Sequence, residues 1–284
     1  MNRLKVMVNG MPGNVAASIA KHILTDERFE LVRHSLTGPD ITAMEFLIDE
    51  TPVQLVKPDS RDDTRDATRD AAIEKIKETE GPFITVDFTL PVAVNDNAAF
   101  YCRHELPFVM GTTGGDRVML EQTVRNSLIS AVIAPNMAKQ IVGFQAMMEY
   151  AAENFPGLFG GYSLEIRESH QKTKVDTSGT AKAMVNYFNK LGVRFTENDI
   201  IKIRDPKIQQ KQWKIPEKYI NGHAWHTYTL DAPDKTAQFS FSHNINGRDI
   251  YSWGTFDAIL FLQKKIETQT KGNVFTMIDV LKGS

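Results

Sequence analysis

Short apolar runs alternate with amphipathic stretches through the first half of this chain. Residues 6–9, 29–34, 84–87, 108–110 and 131–133 read as buried strands, and residues 53–56 as a short strand opened by Pro52. Between them, residues 15–24, 67–78, 92–104 and 116–127 carry helical spacing. Alternation of this kind predicts an α/β fold with a Rossmann-like, doubly wound parallel sheet. Beyond Pro135 the rhythm changes. A long helix over 140–154, a strand over 162–167, a helix ending at Gly192 and strands over 226–230, 237–243 and 250–253 predict a second, α+β domain. A last helix over 255–267 and residues 274–281 are expected to return to the first. The expected domains are therefore residues 1–137 with about 250–284, and about 138–249.

Two local patterns carry less. Pro58-Asp59-Ser60 is expected to end the strand before it, because Pro58 cannot donate to a ladder. Arg61, Arg65 and Arg69 recur every four residues beside Asp62, Asp66 and Asp70, the pattern of a solvated helix face with exposed ion pairs and no function.

Composition narrows the class of protein. A chain of 284 residues with 42% hydrophobic and 24% charged residues suits a globular protein of two ordinary domains. It lacks the apolar run of about eighteen residues that a membrane span needs. Met1-Asn2-Arg3 runs straight into Leu4-Lys5-Val6, so no export signal is expected and the compartment is read as cytoplasm, or plastid stroma if a transit peptide has been removed. The single cysteine, Cys102, excludes an intrachain disulfide and a Cys-rich zinc site, and its neighbours Phe100, Tyr101 and Leu106 suggest packing. A net charge of −2 leaves no electrostatic footprint for nucleic acid. The expected partner is a small molecule.

The chemistry concentrates in residues 168–180, Glu-Ser-His-Gln-Lys-Thr-Lys-Val-Asp-Thr-Ser-Gly-Thr. His170 can deliver a proton near neutral pH and Lys174 offers a point charge. Ser178, Gly179 and Thr180 open a helix whose dipole favours anions. That set suits a small carboxylate. A hydrolase triad of Ser178, His170 and Asp176 is rejected, since no G-x-S-x-G elbow exposes the serine. His223-Ala224-Trp225-His226 imitates a metal pair, but imidazoles at that spacing in a strand point to opposite faces, and no metal is expected.

Gly10-Met11-Pro12-Gly13-Asn14-Val15-Ala16 follows the first strand and opens the first helix, the place of a dinucleotide fingerprint. Phe88-Thr89-Leu90-Pro91 and Gly111-Thr112-Thr113-Gly114-Gly115 follow later strands at the same carboxyl edge. Together with Val86-Asp87, Val94-Asn95-Asp96-Asn97-Ala98, the run from Pro107 to Arg117, and Asp176 to Ala181, these residues resemble the dihydrodipicolinate reductases, most closely the plant-type branch, from end to end.

The resemblance implies an NADPH- or NADH-dependent reductase of the diaminopimelate route to lysine, acting on a cyclic dicarboxylate. His170 matches the family's general acid and Lys174 its second catalytic residue. Gln171, Ser178, Gly179, Thr180 and Thr113 match substrate contacts. The cofactor set is Gly10, Met11, Pro12, Gly13, Asn14, Val15, Ser35, Thr37, Phe88, Thr89, Gly111, Thr112, Thr113, Ala134, Pro135, Asn136 and Met137. The first domain would bind dinucleotide, and the second would bind substrate and build a homodimer or homotetramer. Asn14-Val15-Ala16 replaces the family's usual basic residue, and Pro12 removes a backbone donor from the phosphate loop. Two other functions stay open at this point: reduction of another cyclic imine acid, which turnover with several imines separates, and a non-catalytic dinucleotide-binding scaffold, which intact His170 and Lys174 argue against.

Overall fold

A computed structural model describes residues 3–58 and 67–283. Arg61, Asp62, Arg65 and Asp66, and the turn at Asp59-Ser60, lie outside the described residues. In chain order the strands are β1 (Leu4–Asn9), β2 (Phe29–Leu31), β3 (His34–Leu36), β4 (Glu45–Ile48), β5 (Thr51–Val56), β6 (Ile84–Asp87), β7 (Phe108–Met110), β8 (Ala131–Ile133), β9 (Ser163–His170), β10 (Ile201–Ile203), β11 (His223–Asp231), β12 (Gln238–Asn246) and β13 (Val274–Phe275). The helices are α1 (Asn14–Thr25), α2 (Ala67–Glu80), α3 (Val94–Arg103), α4 (Arg117–Arg125), α5 (Lys139–Asn154), α6 (Gly179–Lys190), α7 (Pro206–Lys211), α8 (Asp249–Glu267) and α9 (Met277–Lys282). The chain divides into two compact units, residues 1–139 with 251–284, and residues 140–250.

The first unit is the doubly wound sheet. Six parallel strands run in the order β13-β8-β7-β6-β1-β2. β6, β7 and β8 are buried at every residue, because helices cover both faces, and even the polar Thr85 and Asp87 of β6 lie inside. Met7, Ile73, Tyr101, Phe108, Met110 and Leu120 join in the core of this unit. Sequential connections run outward from β1 to β2 and in the opposite direction from β6 to β13, so the order reverses between β1 and β6. In open α/β sheets that reversal is where ligands bind.

Three expectations fail in this unit. The strand expected over 29–34 breaks after Leu31: β2 pairs with β1, while β3 joins a separate three-stranded sheet with β5 and β4. Residues 250–253 are the start of α8, not a strand. Arg69 and Asp70 are half-buried rather than a solvated face. Arg69 stacks 4.7 Å over Phe100 and donates to Asn97, and Asp70 pairs with Arg103 and His104.

The second unit is α+β. Its sheet runs β10-β9-β11-β12, with β9, β11 and β12 antiparallel and β10 parallel to β9. α6 packs Met184, Val185 and Phe188 with Ile166, Tyr228 and Leu230 in its core. β9 continues to His170, three residues beyond the expected end at Arg167, so the imidazole stands on the last position of a strand.

Candidate active site

The loops after β1 and β6 meet at the reversal point of the first unit. Gly10 sits at φ 105°, and a Cβ there would stand 2.3 Å from the Phe88 carbonyl oxygen. A Cβ on Gly111 would stand 2.3 Å from the Phe88 ring. Glycine is therefore required twice for three loops to converge. Asp87 ties them together. Buried at the end of β6, it accepts hydrogen bonds from Tyr101 Oη (2.7 Å), Asn97 Nδ2 (3.0 Å), Thr112 Oγ1 (2.6 Å) and Thr89 Oγ1 (2.8 Å). Asn9 extends the network by donating to Tyr101 Oη and accepting from the Leu36 backbone. Burial and the Asp87 charge push the Tyr101 phenol well above its usual range. Asp87, Asn9, Asn97 and Tyr101 went unassigned in the sequence, although a charged residue closing the short β-branched run Ile84-Thr85-Val86 was the available signal.

A cavity of about 450 Å³ opens here, lined by Gly10, Met11, Pro12, Gly13, Thr37, Phe88 and Thr89 of the expected cofactor set. Asn14 and Val15 form the first turn of α1, whose leading N–H groups lie outside the helix ladder and can meet phosphate. Gly111, Thr112 and Thr113 follow β7, and Ala134, Pro135, Asn136 and Met137 follow β8, on the same edge. A larger cavity of about 840 Å³ opens at the amino edge, beside Lys5, Lys77 and Glu80, and contains no expected site residue.

Several expected cofactor contacts are spent inside the protein. Ser35 Oγ accepts the Met11 N–H at 3.3 Å and Thr37 Oγ1 donates to the Met11 carbonyl at 2.6 Å, so these hydroxyls shape the glycine loop instead of donating to phosphate. The Thr112 hydroxyl is held by Asp87. Ala134 and Met137 are buried and offer only backbone to a ligand. Asn136 Oδ1 accepts from the Ala138 N–H. Arg33 is exposed.

In the second unit, Arg204 gathers the segment read as catalytic. Its guanidinium donates to the Lys174 carbonyl (2.7 Å) and the Glu168 carbonyl (3.3 Å), and pairs at close range with the buried Glu168 carboxylate. Glu168 Oε2 also accepts the Ser178 N–H at 3.0 Å, at the N-cap of α6. One carboxylate thus joins the end of β9, the loop and the start of α6. Against the desolvation that raises it, His226, Arg204 and the Ser178 N–H together hold Glu168 down to about 2. Arg204, distant in sequence and on no recognised motif, is the principal residue that sequence reasoning missed.

His170 is buried, and Gln209 donates to its carbonyl at 2.7 Å. Burial, reinforced by the charge of His226, lowers its imidazole to about 3. Lys174 Nζ lies 3.1 Å from both oxygens of the exposed Asp176. Gln171 and Thr180 are half-buried and Gly179 is exposed beside them. The leading N–H groups of α6 and the Lys174 ammonium are groups that can bind an anion, on one segment with the His170 imidazole. Lys174→Ala is expected to raise KM for a carboxylate substrate and lower kcat, cutting kcat/KM roughly 10- to 100-fold, the worth of one charged hydrogen bond. Unchanged constants would place Lys174 outside the site.

His223 and His226 do not pair. His223 Nε2 meets Ser169 Oγ at 2.9 Å, while His226 lies with Glu168 and His170, the donor atoms of these three within 4.8 Å of one another. That spacing would suit a metal ion, but the Arg204 cation and the Ser178 N–H already engage both oxygens of the carboxylate. A second cation there would face the guanidinium across one side chain.

Comparison with known proteins identifies the family. Residues 4–137 match the family profile described as dihydrodipicolinate reductase, N-terminus, and residues 141–281 that described as dihydrodipicolinate reductase, C-terminus. The chain is 44% identical over 287 residues to the chloroplastic 4-hydroxy-tetrahydrodipicolinate reductase 2 of Arabidopsis thaliana, covering 99% of this chain and 78% of that one. A probable chloroplastic reductase of the same name from Oryza sativa subsp. japonica is 42% identical, with 98% and 82% covered. Among solved structures, a dipicolinate-bound dihydrodipicolinate reductase from a Paenisporosarcina species shares the fold at a TM-score of 0.65 and 18% identity, covering 97% and 98% of the two chains. The two profiles and the extent of these identities establish that the chain belongs to the dihydrodipicolinate reductase family.

Proposed function

We propose that this chain reduces 4-hydroxy-tetrahydrodipicolinate to tetrahydrodipicolinate with NADPH or NADH, the hydroxyl leaving as water, in lysine biosynthesis. The observation that carries the reading is the buried His170 at the end of β9, on one segment with Lys174 and the first turn of α6. A cyclic dicarboxylate needs an anion site and a proton source together. The nucleotide would lie across the Gly10–Gly13 turn, with phosphate at the start of α1. When bound, it supplies the hydride. Lys174 leaves Asp176 to meet a substrate carboxylate, and the α6 N–H groups, with Ser178, Gly179 and Thr180, hold the other. Gln171 contacts the ring. His170 protonates the ring carbon that gains electron density. Oxidation of NADPH on adding freshly formed 4-hydroxy-tetrahydrodipicolinate tests this, and no oxidation by the pure protein would overturn it.

Cofactor choice turns on the wall of the nucleotide cavity. No carboxylate ends β3, where Leu36 and Thr37 stand, so the usual discrimination against a 2′-phosphate is missing. The wall carries Arg69, which attracts phosphate, and Asp40, which repels it. NADPH is expected to be at least as good as NADH, by a modest margin. A tenfold preference for NADH in kcat/KM, about 1.4 kcal/mol, would refute this.

The second unit supports a homodimer or homotetramer. β12 is the outer strand of its sheet, with no fully buried residue and an exposed Phe239. Long open edges of this kind are normally paired or covered. Light scattering at micromolar concentration should give a multiple of the 32.0 kDa chain mass, and a monomer mass would defeat the assignment. A non-membrane compartment, cytosol or plastid stroma, fits the absence among described residues of any helix long and apolar enough to cross a membrane.

A further inference from the structure

The loop that carries Lys174 is organised by a side chain that no step of the reaction above uses. β10 runs parallel to β9 with Ile203 opposite Ser169, which brings the next residue, Arg204, to the end of β9 where that loop begins. Asp205 then caps α7 by accepting the Lys207 N–H at 2.8 Å, and the chain turns away.

A guanidinium carries five N–H donors in one rigid plane. All five find acceptors here. Nε donates to the Lys174 carbonyl at 2.7 Å, and one terminal nitrogen donates to the carbonyls of Glu168 and Ile203, each at 3.3 Å. The other terminal nitrogen pairs with the Glu168 carboxylate and reaches the Asp176 carbonyl at 3.4 Å. Four of these five acceptors belong to residues 168–176. Gln209 of α7 holds the same segment by donating to the His170 carbonyl at 2.7 Å.

Lys172, Thr173, Val175 and Asp176 are exposed, so the backbone between β9 and α6 is ordered by hydrogen bonds more than by packing. Its shape is then the shape those bonds dictate. The Lys174 N–H closes a turn on the Gln171 carbonyl at 3.0 Å while Arg204 takes the Lys174 carbonyl, so this residue is fixed at both ends of its own backbone. We propose that Arg204 is a positioning residue: it is the template on which residues 168–176 are wound, and it sets where the Lys174 ammonium meets a substrate carboxylate. The proposal rests on the reading of Lys174 as that contact. Through Glu168, whose other oxygen accepts the Ser178 N–H, the same guanidinium ties the loop to the first turn of α6. A lysine at position 204 would keep a charge opposite Glu168 but lacks the planar fork, so the carbonyls of Lys174 and Asp176 would be released. A misplacement of about 1 Å in a group that holds substrate can cost on the order of 100-fold.

The test is a double-mutant cycle in the full-length protein with NADPH bound, read by calorimetric titration of dipicolinate, an aromatic and unreactive cyclic dicarboxylate. Arg204→Lys should weaken dipicolinate roughly tenfold in the wild-type background and less than about twofold in the Lys174→Ala background, with NADPH affinity unchanged in both. A roughly tenfold loss in both backgrounds would show that Arg204 acts independently of Lys174 and overturn the proposal. Unchanged dipicolinate affinity in Arg204→Lys, or an equal loss of NADPH affinity, overturns it as well. Nitrogen NMR of the ligand-free wild type supplies a readout that needs no variant. The Arg204 Nε–H should exchange with solvent roughly tenfold or more slowly than that of free arginine, because the Lys174 carbonyl holds it, and exchange at the free rate overturns the proposal. Lys174→Ala that binds dipicolinate like the wild type would defeat the reading of Lys174 instead. A wild type that oxidises no NADPH would defeat the reductase reading and leave the cycle and the exchange rate as they were.

Discussion

His170→Ala is expected to turn over roughly 10² to 10⁴ times more slowly than the wild type, with nucleotide affinity little changed. The nucleotide cavity is lined by residues of the first unit, whereas His170 ends β9 in the second. Its loss removes the proton donor but leaves the anion site of Lys174 and α6, so the effect belongs in kcat. The upper end of the range corresponds to about 5 kcal/mol of transition-state stabilisation. With its imidazole held near 3, His170 is neutral at pH 7 in the free protein and becomes an acid only when substrate carboxylates stabilise its cation. Rate and binding can therefore be separated by measuring kcat alongside NADPH titration of the substrate-free variant. Near-normal kcat would remove His170 from the reaction.

How much of this was legible in the sequence follows from where each contact lies along the chain. The all-apolar runs of β7 and β8 betray a sheet covered on both faces, and the glycines after β1 and β7 mark loops that Phe88 approaches too closely for a side chain. Residues 168–180 likewise form one continuous segment from the end of β9 to the start of α6. What stayed hidden was pairing over distance. Arg204 lies 36 residues from the carboxylate it clasps, and His226 reaches Glu168 only because β11 pairs with β9 in that register. Ile250-Tyr251-Ser252-Trp253 has the β-branched and aromatic character of a strand, yet tertiary packing makes it a helix: Ser252, Thr255 and Phe256 are buried, and a Cβ on Gly254 would stand 1.7 Å from the Met137 carbonyl oxygen. The Ser35 and Thr37 hydroxyls looked free for phosphate because a sequence cannot show that Met11's backbone folds back to take them.

Glu168→Gln is expected to lower stability by about 3 kcal/mol at pH 7, which corresponds to a fall in Tm of roughly 5 to 10 °C. Glutamine still offers an oxygen to the Ser178 N–H, but the Arg204 guanidinium, itself largely buried, loses its counter-charge. The pH dependence separates this from a packing defect. Glu168 is held near 2 against 4.5 when free, so the stability its ionised form contributes is complete above 4.5 and is lost as pH falls toward 2. His170 and His243, held near 3 against 6.5, weaken the wild type over a different window. The unfolded chain takes up their protons first, so stability declines as pH drops below 6.5 and levels off near 3, by up to about 1.4 kcal/mol per pH unit for each ring. Those two rings titrate in the variant as well. The gap between wild type and variant should therefore stay near its full size from pH 7 to about 5, then narrow below 4.5 as the wild-type carboxylate is protonated. Urea midpoints at pH 7, 5 and 3 measure it. A gap of the same size at pH 3 would show that the substitution acts through shape and not through the charge that joins β9, the catalytic loop and α6.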